Sequence, residues 1–132
     1  MTYHLQIVTP DGKCFDGQAV RLTIPTIDGQ VGILARHINY VTALGMGPAK
    51  VVTEEGERCA ACIGGMMAVT NGDVKVVATT FEWADEIDVD RAKASMARAE
   101  KMLENPKDAH TVQYANALIK RARVRLSVAE KK

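Results

Sequence analysis

The sequence predicts an α+β fold, in which an all-β sandwich (a flattened barrel) precedes an antiparallel two-helix hairpin. All ten glycines lie in residues 1–84 and none in residues 85–132; glycine supplies the positive φ angles of tight turns but weakens helices. Apolar residues alternate with polar ones in the first segment and recur every three to four positions in the second. The chain therefore divides near Ala84 into residues 1–84, the predicted sandwich, and residues 85–132, the predicted hairpin.

The predicted sandwich consists of short strands joined by turns. Alternating apolar residues predict strands at residues 3–7, 20–24 and 74–83, and Gly64-Gly65 predicts a bulge or a close contact within the sheet. Turn-forming residues separate the strands at Pro10-Asp11-Gly12, Asp28-Gly29, Glu55-Gly56 and Asn71-Gly72. The last of these turns is typical of a tight hairpin, because Asn and Gly both tolerate positive φ. Strands without intervening helices favour a two-sheet sandwich over a doubly wound α/β fold.

The predicted hairpin has one apolar seam on each helix. The seams are Val89, Ala92, Met96, Ala99 and Leu103 in the first helix, and Val112, Ala115, Ile119, Ala122, Leu126 and Ala129 in the second. Pro106 disfavours helix at Asn105 and predicts the reversal of the chain, and Asp108 is a candidate cap for the second helix. Because alanine alternates with larger residues, the hairpin buries little apolar area and depends on what it docks against.

Composition limits the class of protein. The chain has 132 residues, of which 47% are apolar and 25% charged, as in ordinary globular domains. No apolar run approaches the roughly 20 residues of a membrane span, and the start lacks the features of a signal peptide. Three cysteines cannot all pair within one chain, so we expect a reduced, cytoplasmic setting. The net charge of +1 gives no overall attraction to nucleic acid or anionic lipid.

Motifs for catalysis or metal binding are weak. Cys59 and Cys62 form a CxxC, which could be half of a redox or zinc site, but no second CxxC or paired histidine accompanies it. Within a strand the two sulfur atoms would face opposite sides of the sheet. The sequence has no nucleophile elbow, HExxH motif or phosphate-binding glycine loop. We therefore expect no catalytic residue, no metal site and no required cofactor.

Charges in the hairpin allow three interpretations. Acidic residues gather at its start (Asp85, Glu86, Asp88, Asp90) and basic residues near its end (Lys120, Arg121, Arg123, Arg125). The first interpretation is salt bridging within the hairpin, together with favourable interactions with the helix dipoles. In the second, Arg91 and Arg98 on one helix and Arg121 and Arg125 on the other converge on a polyphosphate. The third is a basic tail for nucleic acid, which is disfavoured because Tyr114 is the only aromatic residue in the second helix.

Three stretches of the sequence match motifs of one known family. The first is Pro25-Thr26 with Asp28-Gly29 and residues 32–37, in which Ala35 stands where the family usually has proline. The second is Gly64-Gly65 with Val69 and Asn71. The third is Ile87-Asp88-Val89-Asp90-Arg91-Ala92, which fits the family's Ile/Leu-Asp-x-x-Arg-Ala nucleotide-binding signature without departure. Over essentially its whole length the chain resembles the epsilon subunit of the bacterial F-type ATP synthase.

The resemblance implies a non-catalytic subunit of the central stalk, which couples rotation between the gamma subunit and the c ring. The sandwich is expected to contact both, through Gly32, Ile33, Leu34 and His37. The hairpin is expected either to fold against the sandwich or to extend along gamma to the alpha and beta subunits and inhibit ATP hydrolysis. The protein would be peripheral, at the cytoplasmic face of the bacterial membrane. The competing hypothesis is a stand-alone sandwich that binds proteins and dimerises through its hairpin.

The resemblance also implies that ATP is a regulatory ligand of the folded hairpin. Carried over to this sequence, the signature nominates Ile87, Asp88, Arg91 and Ala92 as ATP-binding residues. The remaining candidates are Arg98 on the first helix, Arg121 and Arg125 on the second, and Glu82 just before the hairpin.

Overall fold

Seven strands and two helices form the part of the chain that the computed structural model describes, residues 1–131. The strands are β1 Tyr3–Thr9, β2 Gly12–Ala19, β3 Arg21–Thr26, β4 Gly29–Leu34, β5 Tyr40–Thr53, β6 Gly56–Thr70 and β7 Asp73–Trp83. A short 3₁₀ turn, Ala84–Glu86, leads into α1 Val89–Glu104 and α2 Ala109–Ala129. β2 was not evident as a separate strand, because its residues, GKCFDGQA, show no clear alternation of apolar and polar side chains.

The strands form one sheet in the order β2-β1-β7-β6-β5-β3-β4, antiparallel except where β1 pairs with β7. β1 and β4 are far apart in this order, yet the Tyr3 hydroxyl donates a hydrogen bond of 2.7 Å to the Ile33 carbonyl oxygen. The sheet therefore folds over and packs against itself, with a common core between its layers. This is the flattened sandwich that the sequence predicts.

The paired glycines mark the place where β6 turns over. Gly64 and Gly65 have φ angles of 74° and 125°, and a Cβ atom on Gly65 would lie 2.2 Å from the carbonyl oxygen of Val77 on β7. Before the two glycines, the even-numbered residues of β6 face the core, as Cys62 does. After them, the odd-numbered residues face the core, as Met67 does. The pairing register stays constant on both sides, so no residue is inserted. The predicted close contact is confirmed, and the alternative of a bulge is wrong.

The CxxC cysteines lie on opposite sides of β6, as the strand pattern predicts. Cys62 is buried in the sandwich core, whereas Cys59 packs beneath the helices, and both thiols are free. Burial raises the pKa of the Cys62 thiol to about 12, which keeps it protonated at neutral pH. The geometry therefore offers no shared redox or zinc site at this pair.

The hairpin lies folded against the outer face of the sheet, where α2 contacts β5 and β6. A small apolar cluster joins the two parts, made of Ala61, Ala84, Ile87, Val128 and Ala129. Farther out, α1 and α2 pack through Ala99, Ala115 and Ile119. The contacts are mostly alanines, so little apolar area holds the hairpin in place.

Aspartates begin both helices. Asp88 Oδ1 accepts a hydrogen bond of 3.0 Å from the Arg91 backbone amide at the start of α1. Asp108 Oδ1 accepts one of 2.8 Å from the Thr111 amide and one of 3.0 Å from its hydroxyl, which confirms the predicted cap. These bonds, the one from the backbone amide first, hold the pKa of Asp108 below its ordinary value.

Replacing Asp108 by alanine is expected to lower the thermal midpoint of the hairpin by a few degrees and to speed amide exchange in the first turn of α2. The folded-state pKa is depressed, so the ionised cap stabilises the hairpin above the unfolded pKa, and this contribution is lost as pH falls through the folded-state pKa. Amide exchange measured from pH 2 to 7 checks both statements. Asp108→Asn, which keeps the capping oxygen, should retain the helix without this acid transition; fraying equal to that of alanine would contradict the cap.

Candidate functional site

A cleft of about 480 Å³ lies between β7, the β1–β2 turn and the hairpin. Six of the eight predicted ATP-binding residues line it: Glu82, Asp88, Arg91, Ala92, Arg98 and Arg125. They come from β7, from both helices and from the residue that caps α1. The cleft therefore depends on the docked arrangement of the hairpin, because separating the hairpin from the sheet would remove β7 as its wall.

One face of α1 supplies most of the polar groups. Arg91, Ser95 and Arg98 follow one another at intervals of four and three, which places them in line along the helix. Ala92 is buried beside them. Ser95 was not predicted as a residue of the site, although its position between two arginines on the same helix face indicates that it lies beside them.

An ion pair crosses the cleft from the sheet to the second helix. The Arg125 Nε–H donates a hydrogen bond of 2.6 Å to Glu82 Oε1, and each side chain is about one-third exposed. Charge-assisted bonds of this length are strong for their type. The pair fixes the position of the Arg125 guanidinium at the end of the cleft.

The predicted pairing of acidic and basic clusters within the hairpin is not found in residues 1–131. Two of the four carboxylates near the start of α1 have other partners there: Asp88 caps the helix, and Asp85 lies 4.0 Å from Arg58 of β6. Arg58 also stacks over the Trp83 ring, 3.8 Å from its centre. Arg125 pairs with Glu82 of β7 instead of with a carboxylate of α1. Salt bridging within the hairpin is therefore the wrong interpretation of these charges.

Two predicted ATP-binding residues lie outside the cleft. Ile87 is buried in the cluster that docks the hairpin. Arg121 lines a second cleft, of about 690 Å³, between α2 and the outer face of the sheet. The two clefts share Arg125 and the two threonines Thr79 and Thr80 of β7. The threonines were not predicted, because nothing in a strand pattern distinguishes them from other polar residues of a strand.

The predicted partner-binding residues lie on β4 and in the turn after it. The Ile33 side chain is in the core, whereas Leu34 is 56% exposed. Gly32 lies against the Arg21 side chain. The His37 ring nitrogen Nδ1 is 2.8 Å from the carbonyl oxygen of Ile38, to which it donates when protonated. The apolar surface here is formed by the exposed side chains of Leu34 and Ile38.

A second apolar surface crosses the outer face of the sheet. Val8, Val77, Met66 and Ala43 are cross-strand neighbours on β1, β7, β6 and β5. The Met66 and Val77 side chains are 50% and 47% exposed, and we call these four residues the apolar band. Contiguous exposed apolar surface on a folded protein commonly marks a contact with another molecule.

The motif order, the sandwich and the docked hairpin match one family. The family model for the ATP synthase delta/epsilon chain beta-sandwich domain matches residues 2–84. The model for the long alpha-helix domain of the same chain matches residues 85–130. The chain belongs to the ATP synthase delta/epsilon family. None of the helices within residues 1–131 has the length and apolar content needed to cross a bilayer.

Relatives in the delta/epsilon family match nearly full length. The ATP synthase epsilon chain of an Exiguobacterium species is 39% identical, over 99% of this chain and 98% of that one. The epsilon chain of Caldanaerobacter subterraneus subsp. tengcongensis is 35% identical, over 98% and 95%. That of Staphylococcus aureus strain JH9 is 39% identical, over 99% and 98%. The predicted family is confirmed.

Solved structures with a similar fold are more distant in sequence. A chain of the Euglena gracilis mitochondrial ATP synthase, solved with OSCP, F1 and c ring, aligns with a TM-score of 0.69 and 22% identity, over 96% of this chain and 76% of that one. A chain of the central stalk and c ring of the Tetrahymena thermophila mitochondrial ATP synthase aligns with a TM-score of 0.60 and 18% identity, over 97% and 93%. These alignments confirm the predicted α+β fold.

Proposed function

We propose that this chain works as a non-catalytic subunit of the central stalk, which couples rotation between gamma and the c ring and restrains ATP hydrolysis through its hairpin. The observation that carries the proposal is the hairpin itself, docked on the sheet by a small alanine-rich cluster. So little buried area leaves a docked and an extended arrangement within a few kcal/mol of each other. A small ligand or a partner subunit is then able to shift the balance.

ATP is the proposed regulatory ligand of the docked state. Arg91, Arg98 and Arg125 supply guanidinium groups to one cleft, and guanidinium is well suited to phosphate oxygens. A ligand that binds only the docked hairpin stabilises it, by about 2.7 kcal/mol at 100 times its dissociation constant. ATP would thus favour the docked, permissive state. The cleft has no phosphate-binding glycine loop, so ATP would be sensed there and not hydrolysed.

The proposed partners are gamma and the c ring for the sandwich, and alpha and beta for the extended hairpin. The apolar band, Leu34 and Ile38 offer surfaces for the first two. Contact with the membrane would come only through the assembled complex, at the cytoplasmic face.

Ending the chain after Asp85 is expected to leave a folded sandwich and to raise ATP hydrolysis by the assembled complex several-fold. The core residues all precede that point, so their packing does not need the hairpin. The measurement is the hydrolysis rate of complexes reconstituted with full-length or truncated chain, beside a thermal melt of the truncated chain. An unfolded truncated chain, or an unchanged rate, would count against an inhibitory hairpin.

Co-purification separates this proposal from the stand-alone dimer. We expect the tagged chain, expressed with its own synthase subunits, to be recovered with gamma and the c ring. Recovery only as a self-associated species would favour the alternative.

A further inference from the structure

We propose that Arg58 is a positioning residue for the hairpin, which holds the connector between the two parts of the chain in its docked conformation. The connector is residues 84–88, the 3₁₀ turn and the two residues that follow it. This inference rests on the proposed mobile hairpin and names a residue of the sandwich that shifts its balance toward the docked state. Arg58 lines neither of the two clefts described above, so its role is separate from nucleotide contact.

Arg58 lies beside the end of β7, where the connector begins. Pairing between β6 and β7 ends at Ala60 and Trp83. Arg58 precedes Ala60 by two residues on β6, so the two side chains leave the same face of the strand. The Arg58 guanidinium lies 3.8 Å from the centre of the Trp83 ring. Stacking over an indole ring is favourable and restricts where the guanidinium lies.

Trp83 is a fixed platform for this arginine. Its indole is buried, and Nε1–H donates a hydrogen bond of 3.2 Å to the Cys14 carbonyl oxygen. Phe81 and Phe15 approach the ring edge-on, with ring centres 5.2 Å and 6.4 Å away. All these contacts lie within the sandwich. Trp83 and the guanidinium stacked on it therefore stay in place when the hairpin moves away.

Asp85 is the contact of Arg58 on the moving side. Its carboxylate lies 4.0 Å from Arg58 Nη2, and within residues 1–131 no other carboxylate is this close to Arg58. The neighbouring residues Ala84 and Ile87 are buried in the cluster that docks the hairpin. Extension of the hairpin pulls these two residues out of the cluster and separates Asp85 from Arg58. The ion pair thus belongs to the docked state and favours it.

The contribution of the pair is modest, because both charged groups are exposed and Arg58 has other carboxylates nearby. A cleft of about 680 Å³ beside Arg58 is lined by four of them, those of Asp16, Glu54, Glu55 and Glu57. These carboxylates attract the guanidinium once Asp85 has moved away. We expect the pair to change the ratio of docked to released hairpin by about threefold, as for a single exposed ion pair.

The test is maleimide labelling of the free thiols in the full chain, without ATP, where the sandwich stays folded. Cys59 packs beneath the helices, so a bulky maleimide reaches it when the hairpin is released. Cys62 is buried in the sandwich core and is labelled when the sandwich unfolds. Fragment masses distinguish the two thiols. We expect Asp85→Asn to speed labelling of Cys59 about threefold and to leave Cys62 unchanged.

Two further variants connect the effect to the ion pair. Glu57→Gln is the matched control, because it removes an exposed carboxylate near Cys59 that pairs with Lys50, at 3.4 Å, outside the connector. The labelling rate of Cys59 should not change in this variant. In an Arg58→Gln background, Asp85→Asn should no longer speed labelling, because the pair is already broken. Comparing Asp85→Asn in both backgrounds cancels any direct effect of Arg58 on the thiol.

The possible results separate this inference from the proposed function. An unchanged rate in Asp85→Asn, or an increase that persists in the Arg58→Gln background, would overturn the role of Arg58 and leave the mobile hairpin standing. An equal increase in Glu57→Gln would mean that the thiol responds to local charge, and would also count against the ion pair. If every variant labels Cys59 only together with Cys62, the hairpin does not leave the folded sandwich, and the proposed inhibitory motion fails as well.

Discussion

Replacing Arg91 by alanine is expected to weaken ATP binding to the isolated chain about 30-fold, the equivalent of roughly 2 kcal/mol for a lost charge-assisted contact. Arg91 lines the cleft and has no carboxylate partner within 4.0 Å in residues 1–131. Stability without nucleotide should therefore change little. Calorimetry gives the affinity, and thermal unfolding with and without ATP gives the stability.

Arg121→Ala and Arg125→Ala are expected to weaken ATP binding to a similar extent, but the two variants test different contacts. Loss at Arg121 would indicate that the phosphates reach from the first cleft into the second, where this residue lies. Arg125→Ala also removes the tie to Glu82, so hairpin docking should weaken even without nucleotide. The comparison of Arg91 with Arg125 thus separates ligand contact from docking.

Arg123→Ala is the matched control for these arginine variants. Arg123 is an exposed arginine of α2 that lines neither cleft. Residues two apart do not share a helix face, so it points away from Arg121 and Arg125. Its substitution should leave ATP affinity within about twofold. An equal loss at Arg91 and Arg123 would mean that ATP is attracted by overall charge and not held by this cleft.

Gly65→Ala is expected to destabilise the sandwich by more than about 3 kcal/mol, because overlap with backbone cannot be relieved by a side-chain rotation. The new Cβ atom would lie 2.2 Å from the Val77 carbonyl oxygen and 2.7 Å from Ala78 Cα, at a residue whose φ is 125°. Urea unfolding of the variant, with the slope compared to the unaltered chain, measures the loss.

Gly72→Ala separates the steric cost from the cost of the backbone angle. Gly72 also has a positive φ, of 88°, but a Cβ atom there would meet nothing within 4 Å. Its substitution should cost only about 1–2 kcal/mol. Equal losses at the two glycines would show that the close approach of β6 and β7 is not what requires Gly65.

The turns and helices were predictable because their causes are local. Asn71 and Gly72 both adopt positive φ in a two-residue turn between β6 and β7, as their residue types indicate. Asp108 caps α2 three residues before its hydrogen-bond partner Thr111. Short-range spacing determines both features. The apolar seams of the helices were predictable for the same reason. The periodicity of apolar residues indicates which face of a helix is buried.

The cleft was predictable only in part. Arg91 and Arg98 lie on the same face of α1 and both line the cleft. Their spacing of seven residues alone predicts this shared face. The position of Ile87 within the docking cluster depends on packing against Ala61 and Val128, far away in the chain. The sequence signature names Ile87 together with its neighbours and does not say which of them face a ligand.

The sequence by itself determined the fold class, the turns, the helix seams and the family, since each depends on residue type and spacing along the chain. Only the tertiary structure decided which partners the charged side chains of the hairpin have. Glu82 and Arg125 are 43 residues apart, and their pairing depends on how the hairpin docks on the sheet, where α2 contacts β5 and β6. Charged side chains are long and find partners by proximity in space, which periodicity does not encode. The docking of the hairpin on the outer face of the sheet, through the cluster of Ala61, Ile87 and Val128, creates that proximity.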